Sequence, residues 1–301
     1  MESPFKVDIV KGKVALITGG GSGIGFEITK EFGKHGAFAA IMGRRKSVLD
    51  SAVSSLRSLG IQAIGFEEDV RKQEDATRVF DATFEHFGRI DILVNAAAGN
   101  FLVPAEDLSP NGFKTVMDID TVGTFRMCHA VLKYIKKRSR KGDIWWWNHP
   151  EHKRHFALHS NLVSNPCIRS QAIDAMTRSL ALEWGTDHDI RVNGIAPGPI
   201  GGTPGLSKLD PSEMKNNQSG TPLHQFITGE KWDIAMAGLY LASDAAKHIN
   251  GAILVVDGGD WFNRAPHVSR EAVKEMCRTV EKRSRANAPS PESGVPTRSK
   301  M

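Results

Sequence analysis

Val14-Ala-Leu-Ile-Thr18, followed at once by Gly19, Gly20, Gly21, Ser22, Gly23, Ile24 and Gly25, decides the fold. A short apolar run without alternation predicts a strand buried on both faces, as in a parallel sheet. Beyond the glycines, Ile24 to His35 reads as a helix that stops at Gly36. A turn poor in Cβ atoms lets backbone approach a pyrophosphate. The helix N-terminus adds free N–H groups and the positive end of its dipole. Glycines alone would mean only a flexible turn; between a strand and a helix they point to dinucleotide binding by Thr18 to Gly25.

The same alternation continues along the chain. Strands are predicted at Ala37 to Met42, Ile61 to Phe66 and Ile90 to Val94, with helices at Lys46 to Leu59 and Glu74 to Phe87. It resumes with a helix at Ala172 to Trp184 and strands at Arg191 to Ala196 and Ala252 to Asp257. Strands separated by helices of this length predict right-handed crossovers and a doubly wound, Rossmann-type α/β sheet in a single domain. That domain is expected over residues 1–280. Residues 281–301 are rich in Pro, Ser and charge and are expected to be a disordered tail.

Composition narrows the function classes. The 301 residues carry 39 Lys and Arg against 34 Asp and Glu, a net charge of +5. The surplus sits in Lys133 to Arg140 and in the tail, beside no nucleic-acid-binding motif, so an anionic small substrate is the better expectation. No apolar run reaches the roughly 18 residues of a membrane span, and the N-terminus does not read as a signal peptide. Cys128, Cys167 and Cys277 lack metal or disulfide spacing, and a reducing compartment is expected.

Thr18-Gly-x-x-x-Gly-Ile-Gly25, Asn95-Ala-Ala-Ala-Gly99 and Asn193-Gly-Ile-Ala-Pro-Gly-Pro199 occur in this order. On these motifs the chain resembles the short-chain dehydrogenase/reductase family from about Gly12 to Trp261. The resemblance implies cofactor contacts from Asn95, Ala97, Pro197, Gly198, Ile200 and Thr203, and from Asp69 to the adenine amino group. At the end of the second strand, an acid would bind the ribose hydroxyls of NAD and a cation the extra phosphate of NADP. Arg44 and Arg45 stand there, and their two-pronged geometry suits phosphate, so NADPH is expected.

Within the family, Asn95 to Leu102 and Met117 to Phe125 resemble the peroxisomal 2,4-dienoyl-CoA reductases, plant forms included. This subgroup carries Asp where most members carry Asn, here Asp120. The resemblance implies NADPH-dependent reduction of 2,4-dienoyl-CoA to 3-enoyl-CoA in β-oxidation of unsaturated fatty acids. Hydride reaches the δ-carbon, charge gathers as a dienolate at the thioester oxygen, and the α-carbon needs a proton. A carboxyl group holding a water can supply it, so the family's usual tyrosine is dispensable; the plainer alternative is an acid bonded to nearby backbone. The resemblance further implies that Arg71 and Lys208 hold the CoA phosphates, that Phe101 lines the acyl site and that Ser109 and Asn111 touch substrate. It implies a homo-oligomer. Ser299-Lys300-Met301 is close to a Ser-Lys-Leu peroxisomal address, so an import receptor and the peroxisomal matrix are expected.

One stretch departs from the pattern. The family places a fifth strand, then a helix bearing an active-site Lys, but no Lys occurs between Lys153 and Lys208. Tyr134 and Tyr240 are followed four residues on by Arg138 and Asp244, so neither fits the family's Tyr–Lys pair. Disruption of strand and helix is expected over about 145–170. Trp has one codon, so Trp145, Trp146 and Trp147 followed by Asn148 must read TGGTGGTGGA, and a reading one base later forces Gly-Gly-Gly. The following codons then allow Ile-Ile-Leu-Asn-Ile-Ser-Ala, the missing strand and its catalytic Ser. The expectation is a segment out of frame, from a gene-model error or a real indel, and little activity from the chain as written. His149, His152, His155 and His159 have ligand-like spacing, but Pro150 and the tryptophans oppose a regular helix, so no metal is expected. A reductase of another substrate, such as a 3-oxoacyl thioester, and a non-catalytic NADPH-binding protein are the alternatives.

Overall fold

A computed structural model describes residues 2–99, 108–135, 142–147, 165–203 and 228–260, with 142–147 and 165–170 described by their backbone alone. Residues Met1–Trp261 form one compact unit. The first half runs β1 (Val14–Thr18), α1 (Gly23–Lys34), β2 (Phe38–Gly43), α2 (Lys46–Ser58), β3 (Ala63–Glu67), α3 (Gln73–Phe87) and β4 (Ile92–Asn95). Then come α4 (Pro110–Met117), a π-helical turn (Asp118–Val122), α5 (Gly123–Ile135), β5 (Gly142–Trp147), α6 (Asn165–His188), β6 (Ile190–Pro197), α7 (Lys231–Ala242) and β7 (Ile253–Val256). The strands form one parallel sheet in the order β3-β2-β1-β4-β5-β6-β7. The doubly wound expectation holds, and strand order reverses between β1 and β4, the switch point where such sheets leave a crevice.

All five β1 residues are buried, and side chains two apart face the same way. Leu16 joins Met42, Leu93, Phe80 of α3, and Met127 and Val131 of α5 on one face. Ala15 and Ile17 join Ile92, Val94, Ile28 and Phe32 of α1, and Ile234 and Leu239 of α7 on the other. Each large aliphatic side chain so buried contributes about 1.5–3 kcal/mol against exposure.

The expected disruption over about 145–170 narrows at both ends. Backbone of Gly142–Trp147 pairs in register with β4 and β6, Trp145 opposite both Val94 and Asn193. Ile144 and three tryptophans are residues that suit a pleated strand, and a gap between β4 and β6 would orphan both rows of amides. The helix begins at Asn165, before the expected Ala172. The charged run from His149, the four histidines of the metal alternative, and the expected tail lie outside the described residues. Among the described residues, no helix is long and apolar enough to cross a membrane and no cluster of metal ligands occurs.

Buried Arg191 donates to the carbonyl of Leu241 (2.8 Å) in the last turn of α7 and to that of Ala246 (2.8 Å) in the turn beyond it, while Lys13 Nζ donates to Ala242 O (2.7 Å). Replacing the guanidinium by an apolar chain leaves buried carbonyls without those donors. Arg191→Met is therefore expected to cost about 2–4 kcal/mol, read as a shift of denaturant midpoint at unchanged slope. A change under about 0.5 kcal/mol, the range of indifferent surface substitutions, would contradict the capping role.

Candidate active site

Thr18, Gly43, Glu67, Asn95 and Pro197 end five strands, so parallel pairing gathers them on one edge of the sheet. At the end of β1 the chain turns through Gly19 with φ +67°, where a Cβ would lie 2.8 Å from Ala96 O. A Cβ on Gly25 would lie 2.6 Å from Gly19 O, so the first turn of α1 closes onto the loop only because that position is bare. Ser22 caps α1 in extended conformation without a side-chain hydrogen bond, and the first turn carries no acid. The helix therefore offers an electropositive N-terminus to an anion. Gly21 and Ser22 lead into this N-terminus, where Gly23 and Ile24 open the helix, whereas a Cβ on Gly20 would meet Ile41 at 2.6 Å.

Thr18, grouped in sequence with the cofactor contacts, has a further task. Its Oγ1 accepts from the amides of Ala96 (3.1 Å) and Ala97 (3.0 Å), tying the end of β1 to the segment after β4. Asn95 is buried and its Nδ2 donates to the buried Cys128 Sγ at 3.5 Å. Burial pushes the Cys128 thiol well up, only partly offset by Asn95. Asp120 is also buried, in the π-helical turn between α4 and α5, and its Oδ1 accepts from the Gly99 amide at 2.8 Å. The structure thus brings Thr18, Asn95, Ala97 and Asp120 around one short loop. Such widened turns recur at functional sites. The backbone bond foreseen as the plainer role of Asp120 is present.

Arg44 and Arg45 are exposed just beyond β2. Next to them Asp69, after β3, is held by Arg71, whose Nε and Nη2 donate to its carboxylate at 2.9 and 2.5 Å. Burial would raise the Asp69 carboxyl, but hydrogen bonds and charge from Arg71, with Arg44 adding charge, bring it below its ordinary value. Gly198 packs on Asp257 and donates to Val256 O at 2.9 Å, Ile200 is buried, and Thr203 Oγ1 donates to Ile200 O at 2.9 Å, so these stay together beyond β6. Ser109 caps α4, accepting from Gly112 N at 3.0 Å, with Pro110 and exposed Asn111 in the first turn. Phe101 and Lys208 lie outside the described residues.

The tyrosines stand elsewhere. Tyr134 donates to Asp81 between α5 and α3, about 20 Å along the helix from Asp120, and Tyr240 lies on α7. Sequence reasoning missed Asp75, whose carboxylate accepts from Asp69 N (2.9 Å), and Arg126, which donates to Arg71 O (2.7 Å). An acid in the first turn of α3 was a signal for the first; nothing in the sequence signalled the second. The bare glycine turn, the helix N-terminus and the exposed arginines together fit a nicotinamide dinucleotide.

A family model described as Enoyl-(Acyl carrier protein) reductase matches residues 19–261. The chain belongs to the short-chain dehydrogenase/reductase family. It is 62% identical over 301 residues to a peroxisomal 2,4-dienoyl-CoA reductase [(3E)-enoyl-CoA-producing] of Arabidopsis thaliana, covering 99% of each chain. Among solved structures it is similar to a short chain dehydrogenase from Bacillus anthracis, with TM-score 0.77 and 38% identity, over 85% of this chain and 99% of that one. It is also similar to a 3-ketoacyl-(acyl-carrier-protein) reductase from Brucella melitensis complexed with NADH, with TM-score 0.74 and 28% identity, over 84% and 99% of the two chains.

Two outcomes follow. Thr18→Val removes the acceptor for two amides while keeping shape, and is expected to cost about 1–3 kcal/mol and to weaken dinucleotide binding, by thermal melting and titration; unchanged binding would refute the tie. Because Asp69 titrates below its unfolded value, its pairing stabilises the fold above about pH 4 and the benefit is lost as pH falls further. The deficit of Asp69→Asn at neutral pH should therefore shrink below pH 4 in denaturant titrations; a constant deficit would refute it.

Proposed function

We propose that the chain is a peroxisomal NADPH-dependent 2,4-dienoyl-CoA reductase yielding the 3-enoyl-CoA, whose product as written is impaired by the loss of the family's Lys. The observation that carries the reading is Asp120, buried at the crevice and bonded to Gly99, together with the full-length similarity. When bound, NADPH supplies a hydride to the δ-carbon of the dienoyl thioester. The cradle from Gly21 to Ile24 holds the pyrophosphate, Arg44 and Arg45 the additional phosphate, and Asp69 the adenine amino group. Thr18 and Asp120 keep Asn95, Ala97 and Gly99 in place, and Pro197, Gly198, Ile200 and Thr203 close the nicotinamide end. Asp120 holds the water that protonates the α-carbon. Arg71 and Lys208 take the CoA phosphates, and Phe101, Ser109 and Asn111 border the acyl chain. Ser299-Lys300-Met301 is the address read by the import receptor, the location is the matrix, and the enzyme works as a homo-oligomer.

The lost Lys favours a second reading, a non-catalytic NADPH-binding protein. NADPH oxidation with a dienoyl-CoA separates the two, comparing this chain with one in which 145–170 is read one base later. The restored chain is expected to turn over, and this chain to fall by about 10²-fold or more, as when a catalytic group is lost. Equal turnover would overturn the impairment, and turnover by neither, with NADPH bound, would favour the second reading. In the restored chain, Asp120→Ala is expected to lower kcat by about 10²-fold. Replacing Arg44 and Arg45 by Ala should weaken NADPH about tenfold or more while sparing NADH. Wild-type kinetics in either variant would refute its assigned role.

A further inference from the structure

The reading above gives Asp69 and Arg71 to different ligands, yet in the structure they hold each other. Arg71 donates its amide to Asp69 Oδ1 (3.0 Å), Nε to both oxygens (3.1 and 2.9 Å) and Nη2 to Oδ2 (2.5 Å). A carboxylate has about four acceptor positions, so these bonds claim the atoms that the adenine amino group needs. Burial differs across the pair: the Arg71 side chain is 40% exposed and that of Asp69 12%. A cation at the surface therefore covers an acid behind it.

The backbone on both sides is fixed. Asp75 accepts from Asp69 N (2.9 Å), Lys72 N donates to Asp69 O (2.9 Å), and Arg126 donates to Arg71 O (2.7 Å). Gly123, at the start of α5, leaves room for Val70, which a Cβ would meet at 2.9 Å. What can move without disturbing the turn is the guanidinium.

We propose that Arg71 is a counter-ion shared by the two ligands, so that acyl-CoA and NADPH each tighten the binding of the other. The inference rests on the assignment of Asp69 to adenine and Arg71 to CoA phosphate. A phosphate offers the fork a doubly charged partner in place of a carboxylate, and draws it from Asp69. The uncovered carboxylate then accepts from the adenine amino group, with the charge of Arg44 nearby. Whichever ligand arrives first breaks the ion pair, and the second finds it broken. Thermodynamic linkage makes the gain equal in both directions.

Calorimetry on the full chain tests this without turnover, using NADPH and free coenzyme A, which carries the phosphates and no reducible acyl group. NADPH is expected to bind about fivefold or more tightly with saturating coenzyme A than without, and coenzyme A to gain the same factor from NADPH. Arg71→Ala should weaken coenzyme A and bring the factor to about one. Asp69→Asn, which breaks the pair from the other side, should also abolish coupling. If Arg71→Ala weakens coenzyme A but wild-type NADPH affinity ignores it, the assignments stand and the coupling is overturned. If coenzyme A affinity ignores Arg71→Ala, if NADPH affinity ignores Asp69→Asn, or if wild type binds neither ligand, the assignments fall and the coupling with them.

Discussion

The hydroxyl of Thr18 accepts two backbone amides across the point where strand order reverses, and the geometry of the crevice depends on that bridge. Parallel strands on either side of a switch point have their crossovers on opposite faces, so the chains leaving the two exits diverge and a contact is needed to hold them together. A side chain at the end of β1 does so, and it fixes how far the loop after β4 stands from the glycine cradle. Asp120 fastens the other end of the same loop at Gly99. Seven strands and two helical layers thus deliver their order to one short segment, and two side-chain oxygens set where it lies.

Electrostatics follow the same economy. Arg44, Arg45 and Arg71 meet the exit of β2 and the turn after β3, where phosphates of two different molecules are expected. Such a concentration of cations beside a carboxylate keeps Asp69 ionised despite its burial.

Much of this was legible in the sequence because the governing patterns are local. Four consecutive β-strands with their helices, from β1 to β4, emerge from apolar runs and glycine stops, each decided within about fifteen residues. The glycine cradle was likewise found from neighbours in sequence, and Asp120 from the resemblance of Met117 to Phe125 to a family motif. What escaped detection depends on distance: Thr18 reaching residues 78 and 79 positions away, Arg126 reaching a carbonyl 55 away, and Arg191 closing a helix 50 away. A hydrogen bond of that kind leaves no periodic trace. The tryptophans show the opposite failure. Read against a family pattern they signal damage, but the backbone of Gly142–Trp147 still fills the central slot, because pairing asks for amides and a tolerant pleat rather than for particular side chains.

The π-helical turn at Asp118–Val122 also interrupts the 3.6-residue spacing between α4 and α5. One surplus residue there shifts the phase between the two helical segments by about 100°. Ahead of it Ser109 and Pro110 set the start of the rod; after it Met127, Val131 and Tyr134 must all face inward together. Losing the surplus residue would return the rod to plain α-helix and remove the backbone shape that aims Asp120 at Gly99. Asp120 apart, this stretch can therefore accept exchanges of side chain more readily than a change of length, and its residue count is a mechanical dimension of the enzyme.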